Sequence, residues 1–258
     1  FQFPCGREHC PFKGSGPVHQ NPSWHHRRGR LTAMAQIPSP IWQIPAQRHS
    51  VLVKICGLTL VDNALDCVKA GADIIGLVFF EKSPRHVSTT KAREIARALP
   101  KEVPACGVFV DETYDTIMQI VSACGLEIVQ LHGSETPELA ERLSAQNLVV
   151  TKAFFAARSP KLCDTEKYPS ADFCLAEYGK GILPGGNAET WNYDQALDMA
   201  KKVRLMLAGG LTCENVADAV ARIGPHAVDV SSGVEKTKGI KDIAKVKAFI
   251  RAAKSVSI

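Results

Sequence analysis

No apolar run in this 258-residue chain reaches the roughly 18 residues that a membrane-crossing helix needs, so no membrane partner is expected. Cysteine is present but scattered singly. The nine cysteines, an odd number, stand singly at Cys5, Cys10, Cys56, Cys67, Cys106, Cys124, Cys163, Cys174 and Cys213, without a C-x-x-C pair. That spacing argues against a disulfide framework or a structural zinc site and for a reducing, cytoplasmic compartment. Net charge is missing from most of the chain. The overall +5 resides in residues 1–50, where six basic side chains face Glu8 alone (6 − 1 = +5), leaving 25 basic and 25 acidic groups in 51–258. A basic groove is therefore not implied, and no nucleic-acid partner is expected.

Residues 1–50 also lack any hydrophobic period. They are rich in Pro, Gly, Ser and Arg, hold five of the eight histidines, and read as a disordered leader, either an extension or a start-site artefact ahead of Met34. Cys5, His9 and Cys10 do not complete a four-ligand metal set. A transit peptide would need an amphipathic helix, which is not there.

From Val51 onward short apolar or β-branched runs alternate with amphipathic stretches. Strands are predicted at 51–56, 73–79, 104–110, 127–132, 148–153, 172–177, 204–209 and 226–231, and helices near 61–70, 89–99, 114–124, 137–146, 192–203, 213–223 and 241–254, with 156–168 the weakest helical stretch. Thr59, Thr136 and Thr212 stand where helix caps would. Eight strands alternating with about as many helices predict parallel pairing and right-handed crossovers, hence a single (β/α)8 TIM barrel over 51–258.

Two strand ends carry the clearest chemical signal. Leu207-Ala208-Gly209-Gly210 and Val230-Ser231-Ser232-Gly233 close strands seven and eight with small residues, which lets backbone N–H groups approach a ligand closely. Barrels place a phosphate site there, so a small phosphorylated substrate is expected.

Side-chain parity then selects which strand-end residues face the barrel mouth. Lys54 and Cys56 share the inward face of strand one, and Cys56 is a base or nucleophile, or else a small buried filler. The inward Lys54 would help that thiol lose its proton. Gln130 and His132 face in on strand four, Glu177 closes strand six as a candidate general acid, and Asp229 on strand eight is expected to pair with Lys54. Arg85, in the loop after strand two, has the fork that holds a carboxylate. Asp111, at the end of strand three, is the reserve proton donor.

Six segments in register, Val53–Gly57, Lys82–Arg85, Gly107–Val110, Val129–Gly133, Leu207–Leu211 and Val228–Glu235, together resemble the phosphoribosylanthranilate isomerase family of tryptophan biosynthesis. The likeness covers 258 − 50 = 208 residues and leaves out the leader. It implies a cofactor-free Amadori rearrangement of N-(5-phosphoribosyl)anthranilate to 1-(2-carboxyphenylamino)-1-deoxyribulose 5-phosphate, with no metal and no nucleotide, by a monomer or homodimer. Carried over, Cys56 matches the family's base, Glu177 stands on its acid, and Arg85 matches the arginine that holds the anthranilate carboxylate. Gln130, His132 and Asp229 fall among the substrate-binding positions, and Gly209, Gly210, Ser232 and Gly233 on the phosphate.

Two departures accompany the likeness. The family's acid is an Asp, whereas Glu177 is one methylene longer, and the following loop has Glu189 where a lysine is usual. The cup alone reads only phosphate, so another sugar-phosphate barrel enzyme, or a retired barrel that merely binds, stays open at this point. A metal-dependent epimerase would need converging His and Asp ligands, and His132 alone is offered.

Overall fold

In a computed structural model, which describes residues 50–179 and 190–257, eight short strands close on themselves. They are β1 (Leu52–Cys56), β2 (Ile74–Val78), β3 (Ala105–Phe109), β4 (Ile128–Leu131), β5 (Val149–Phe155), β6 (Phe173–Glu177), β7 (Leu205–Leu207) and β8 (Ala227–Val230). Each pairs in parallel with the next, and β8 pairs in parallel with β1, which puts Lys54 opposite Asp229. Every predicted strand is present at nearly its predicted place.

Alternation divides each strand between two cores. Val53, Ile55, Val129, Phe154, Ala176 and Val228 face outward and pack with buried helix residues such as Ala64, Ile95, Ile117, Leu143, Val220 and Phe249. The helices that supply them are α1 (Val61–Lys69), α2 (Thr89–Ala98), α3 (Tyr114–Cys124), α4 (Pro137–Ser144), α5 (Leu197–Ala200), α6 (Val216–Ile223) and α7 (Ile243–Lys254). The intervening set, with Leu52, Lys54, Cys56, Phe173, Leu175 and Glu177, fills the barrel and forms its mouth. No described helix is long and apolar enough to cross a membrane.

The start signals fared unevenly. Thr136 Oγ1 accepts from the Leu139 N–H and caps α4 as expected. Thr59 does not cap α1. Leu60 stands at that position without a side-chain cap, while the Thr59 hydroxyl donates to Gly239 O at 2.9 Å. Thr212 instead shapes a turn, accepting from the Glu214 N–H, and α6 begins only at Val216.

Two helical stretches are shorter than predicted. The segment after β5 forms a 3-10 helix at Leu162–Lys167, because Pro160 supplies no N–H to continue a helix from 156. The stretch at 192–203 becomes a 3-10 turn at Tyr193–Ala196 followed by α5. Its start is held down at the barrel mouth, since the Trp191 indole N–H donates to Ala208 O and the Tyr193 hydroxyl to Gly209 O. A small hairpin, β9 (Glu235–Thr237) with β10 (Ile240–Lys241), was not predicted and follows the end of β8.

Candidate active site

Cys56 ends β1, and its thiol has room because β2 carries Gly76 opposite it. A Cβ added at Gly76 would lie 2.7 Å from Cys56 Sγ and 2.9 Å from its Cα. On the same inward face Lys54 is fully buried, with Nζ 3.0 Å from Asp229 Oδ1, the pairing that parity predicted. Burial, the largest single effect, would lower the pKa of Lys54, but Asp229 together with the thiols of Cys56 and Cys106 holds the ammonium above its ordinary range. Lys54 pulls the pKa of Cys56 down, as expected, but does not decide its direction. Burial pushes the thiol up and exceeds the opposing pull of Lys54, and Asp229 pushes the same way as burial.

Across the mouth, β6 ends at Glu177 and β4 runs into His132, both buried. Gln130 Nε2 lies 3.0 Å from His132 Nδ1, so the amide donates and the imidazole carries its proton on Nε2. Nε2 is 2.9 Å from Glu177 Oε2, but the N–H is not aligned on it, so the two groups are neighbours without a hydrogen bond. The extra methylene of Glu177 finds its space over Gly209. A Cβ there would come within 3.0 Å of Glu177 Cγ, and the φ of +86° at Gly209 already disfavours other residues. The adjustment expected in the loop after β6 falls mainly on 180–189, and Glu189 with it, outside the described residues.

Arg85 is buried rather than solvated, and its guanidinium forms a two-point ion pair with Glu235, Nε to Oε1 and Nη2 to Oε2, each 2.8 Å. Its stem lies across Gly57, where a Cβ would meet Arg85 Cδ at 2.6 Å, so the arginine sits beside the end of β1. Glu235 is gripped further by Lys241 Nζ at 2.9 Å and the Gly239 N–H at 3.0 Å. Burial would push this carboxyl up, but the two cations outweigh it and hold its pKa at about 2.

The ends of β7 and β8 are built without side-chain bulk. Gly209 and Gly210 both have positive φ, and a Cβ at Gly233 would run into Leu211 O. Ser232 and Gly233 open the 3-10 turn Ser232–Val234 after β8. No hydrogen bond among the described residues uses the backbone N–H of Gly209, Gly210, Ser232 or Gly233, while the carbonyls of Gly209 and Gly210 are tied back by Tyr193 and Asn215. Four neighbouring donors that no described residue uses are what an anion site requires.

Asp111, exposed at the end of β3, packs on the turn after His132, with Oδ1 accepting the Ser134 N–H at 2.6 Å. The reasoning from sequence missed Glu235, Lys241 and the buried pair Lys152–Glu135, 3.0 Å apart, which braces the turn after His132 through Leu131 O and Gly133 O. Nothing local in the sequence marks Glu235, because the burial of Arg85 that makes a carboxylate partner necessary arises only in the closed barrel.

This geometry agrees with what the chain resembles. The family model described as N-(5'-phosphoribosyl)anthranilate (PRA) isomerase matches residues 53–252. The N-(5'-phosphoribosyl)anthranilate isomerase of Desulfatibacillum aliphaticivorans is 48% identical over 209 residues, covering 81% of this chain and 95% of that protein. Among solved structures, phosphoribosyl anthranilate isomerase from Thermotoga maritima superposes with a TM-score of 0.74 at 38% identity, over 80% of this chain and all of that one. A phosphoribosyl anthranilate isomerase in complex with reduced 1-(o-carboxyphenylamino)-1-deoxyribulose 5-phosphate gives 0.71 at 37% identity, again over 80% of this chain and 100% of that one.

Proposed function

Because the chain belongs to the N-(5'-phosphoribosyl)anthranilate isomerase family, we propose that Cys56 is the base and Glu177 the acid of its reaction. The protein is an isomerase of tryptophan biosynthesis that converts N-(5-phosphoribosyl)anthranilate to 1-(2-carboxyphenylamino)-1-deoxyribulose 5-phosphate. The observation that supports the residue roles is one thiol and one carboxyl, at the ends of β1 and β6, facing a mouth that also holds four unused backbone donors.

The substrate phosphate is seated on the N–H groups of Gly209, Gly210, Ser232 and Gly233, and its anthranilate carboxylate on Arg85. Glu177, protonated, gives its proton to the furanose oxygen as the C1–O bond breaks and the anthranilate nitrogen lone pair forms the C1=N bond. Cys56 as thiolate removes the proton from C2, and the C2–H electrons shift to C1=C2 while the iminium is neutralised. Loss of the O2 proton and protonation at C1 then give the ketone. The iminium is itself a cation beside Cys56, which favours the thiolate at the step that needs it. Gln130, His132 and Asp229 line the mouth as substrate contacts.

Both proposed catalytic groups and the cup come from one chain, so the site is complete in a monomer and is retained in a homodimer. The test is turnover of freshly made phosphoribosylanthranilate, followed by loss of its fluorescence. Cys56→Ala and Glu177→Gln are each expected to lose about 10³-fold or more in kcat while binding of the reduced product analogue changes little. Near-parental turnover in either variant would remove that residue from its role.

A further inference from the structure

The ion pair on Arg85 is at first sight an obstacle, because the group proposed to hold the substrate carboxylate already holds a carboxylate of the protein. The atoms used resolve this. Glu235 takes the Nε and Nη2 side of the guanidinium, and no hydrogen bond among the described residues uses Nη1. The end-on edge, formed by Nη1 and the second N–H of Nη2, is therefore left for a second two-point contact. About a tenth of the Arg85 side chain stays open.

Charge points the same way. Arg85 and Glu235 alone would cancel, leaving little attraction for an anion. Lys241 adds a second cation on Glu235 Oε1, the oxygen that also takes Arg85 Nε, and its side chain is fully buried. Its Nζ has three acceptors, Glu235 Oε1 at 2.9 Å, Ser231 O at 3.1 Å and Ser231 Oγ at 3.3 Å, which match the three N–H bonds of an ammonium. The triad Arg85–Glu235–Lys241 thus carries one net positive charge, with the arginine at its open end. It is also continuous with the proposed base, because the Ser231 hydroxyl donates to Cys56 O at 3.0 Å and the Arg85 stem crosses Gly57.

We infer that Glu235, anchored by Lys241 and the Gly239 N–H, is a positioning residue that turns the free Nη1/Nη2 edge of Arg85 toward the anthranilate carboxylate. The inference rests on the reading of Arg85 as the carboxylate ligand. Without Glu235 the guanidinium regains rotamers and loses its fixed plane, so carboxylate recognition weakens while the sugar-phosphate half of the site is left as it was.

The experiment measures calorimetric affinity of the parent, Arg85→Met, Glu235→Gln and Glu235→Asp for two probes. One is reduced 1-(o-carboxyphenylamino)-1-deoxyribulose 5-phosphate, and the other is the same compound without its carboxyl. Glu235→Gln should weaken the first about tenfold and the second less than about twofold, with KM rising by a similar factor and kcat little changed. Glu235→Asp keeps the charge but falls short of the fork, and should show a smaller loss of the same selectivity. Unchanged affinity for the carboxyl-free probe also certifies that the variants are folded. Equal loss for both probes, or tighter binding of the carboxylate probe by Glu235→Gln, would overturn the inference, the second outcome marking Glu235 as a competitor. Selective loss in Arg85→Met with none in Glu235→Gln sinks the role of Glu235 alone. No selective loss in Arg85→Met sinks the reading of Arg85, and the inference with it.

Discussion

Single atoms decide how the proposed base is tuned. Cys56 Sγ lies against Gly76, deep enough that burial, rather than the neighbouring ammonium, sets the direction of its pKa. Its thiolate is therefore scarce at neutral pH, and kcat is expected to climb with pH on the limb that this thiol controls. Asp229 contributes to the rise in the thiol's pKa and also neutralises Lys54. Asp229→Asn should accordingly shift that limb of the kcat profile to lower pH. The same change leaves a buried ammonium without its carboxylate, and should lower stability by roughly 3–5 kcal/mol in urea unfolding. A variant with parental stability and an unmoved pH limb would show that Asp229 does neither.

At the scale of elements, strand parity delivered the inward set, but the loops carry the site's control. The hairpin of β9 and β10 is only five residues of strand, yet it brings Glu235 and Lys241 onto Arg85. The Glu235 carboxyl, at about 2, lies below the ordinary 4.5. A depressed carboxyl contributes stability that is present above the unfolded pKa and lost as pH falls toward the folded one. The difference in urea midpoint between the parent and Glu235→Gln should hence be widest above pH about 4.5 and close as pH drops toward about 2. A difference independent of pH over that window would mean that the carboxylate charge is not what the hairpin uses.

For the molecule as a whole, charge and fold separate along the chain. Residues 1–50 carry the entire net +5, the family match begins at residue 53, and Val51 is the first of the described residues in the buried core. We propose that the leader is dispensable for folding and turnover. A chain beginning near Gln47 should keep the thermal midpoint of the full chain and its turnover; a lowered midpoint or lost activity would show that the leader packs on the barrel.

What the amino-acid sequence determined by itself was whatever repeats locally. The period of two in runs such as Val53-Lys54-Ile55-Cys56 and the helical period between them gave all eight strands, their parallel order and the inward faces. Small residues at Gly209-Gly210 and Ser232-Gly233 exposed the cup, because a missing side chain is a local fact. Closure of the barrel even made the Lys54–Asp229 pair foreseeable across 175 positions. Tertiary structure alone decided the rest. Arg85 and Glu235 are 150 positions apart with no period linking them, and the room for Glu177 Cγ over Gly209 depends on where β6 and β7 end side by side. For Cys56, the pull of a lysine two residues away was visible in the chain, whereas the burial that outweighs it exists only once the barrel has closed.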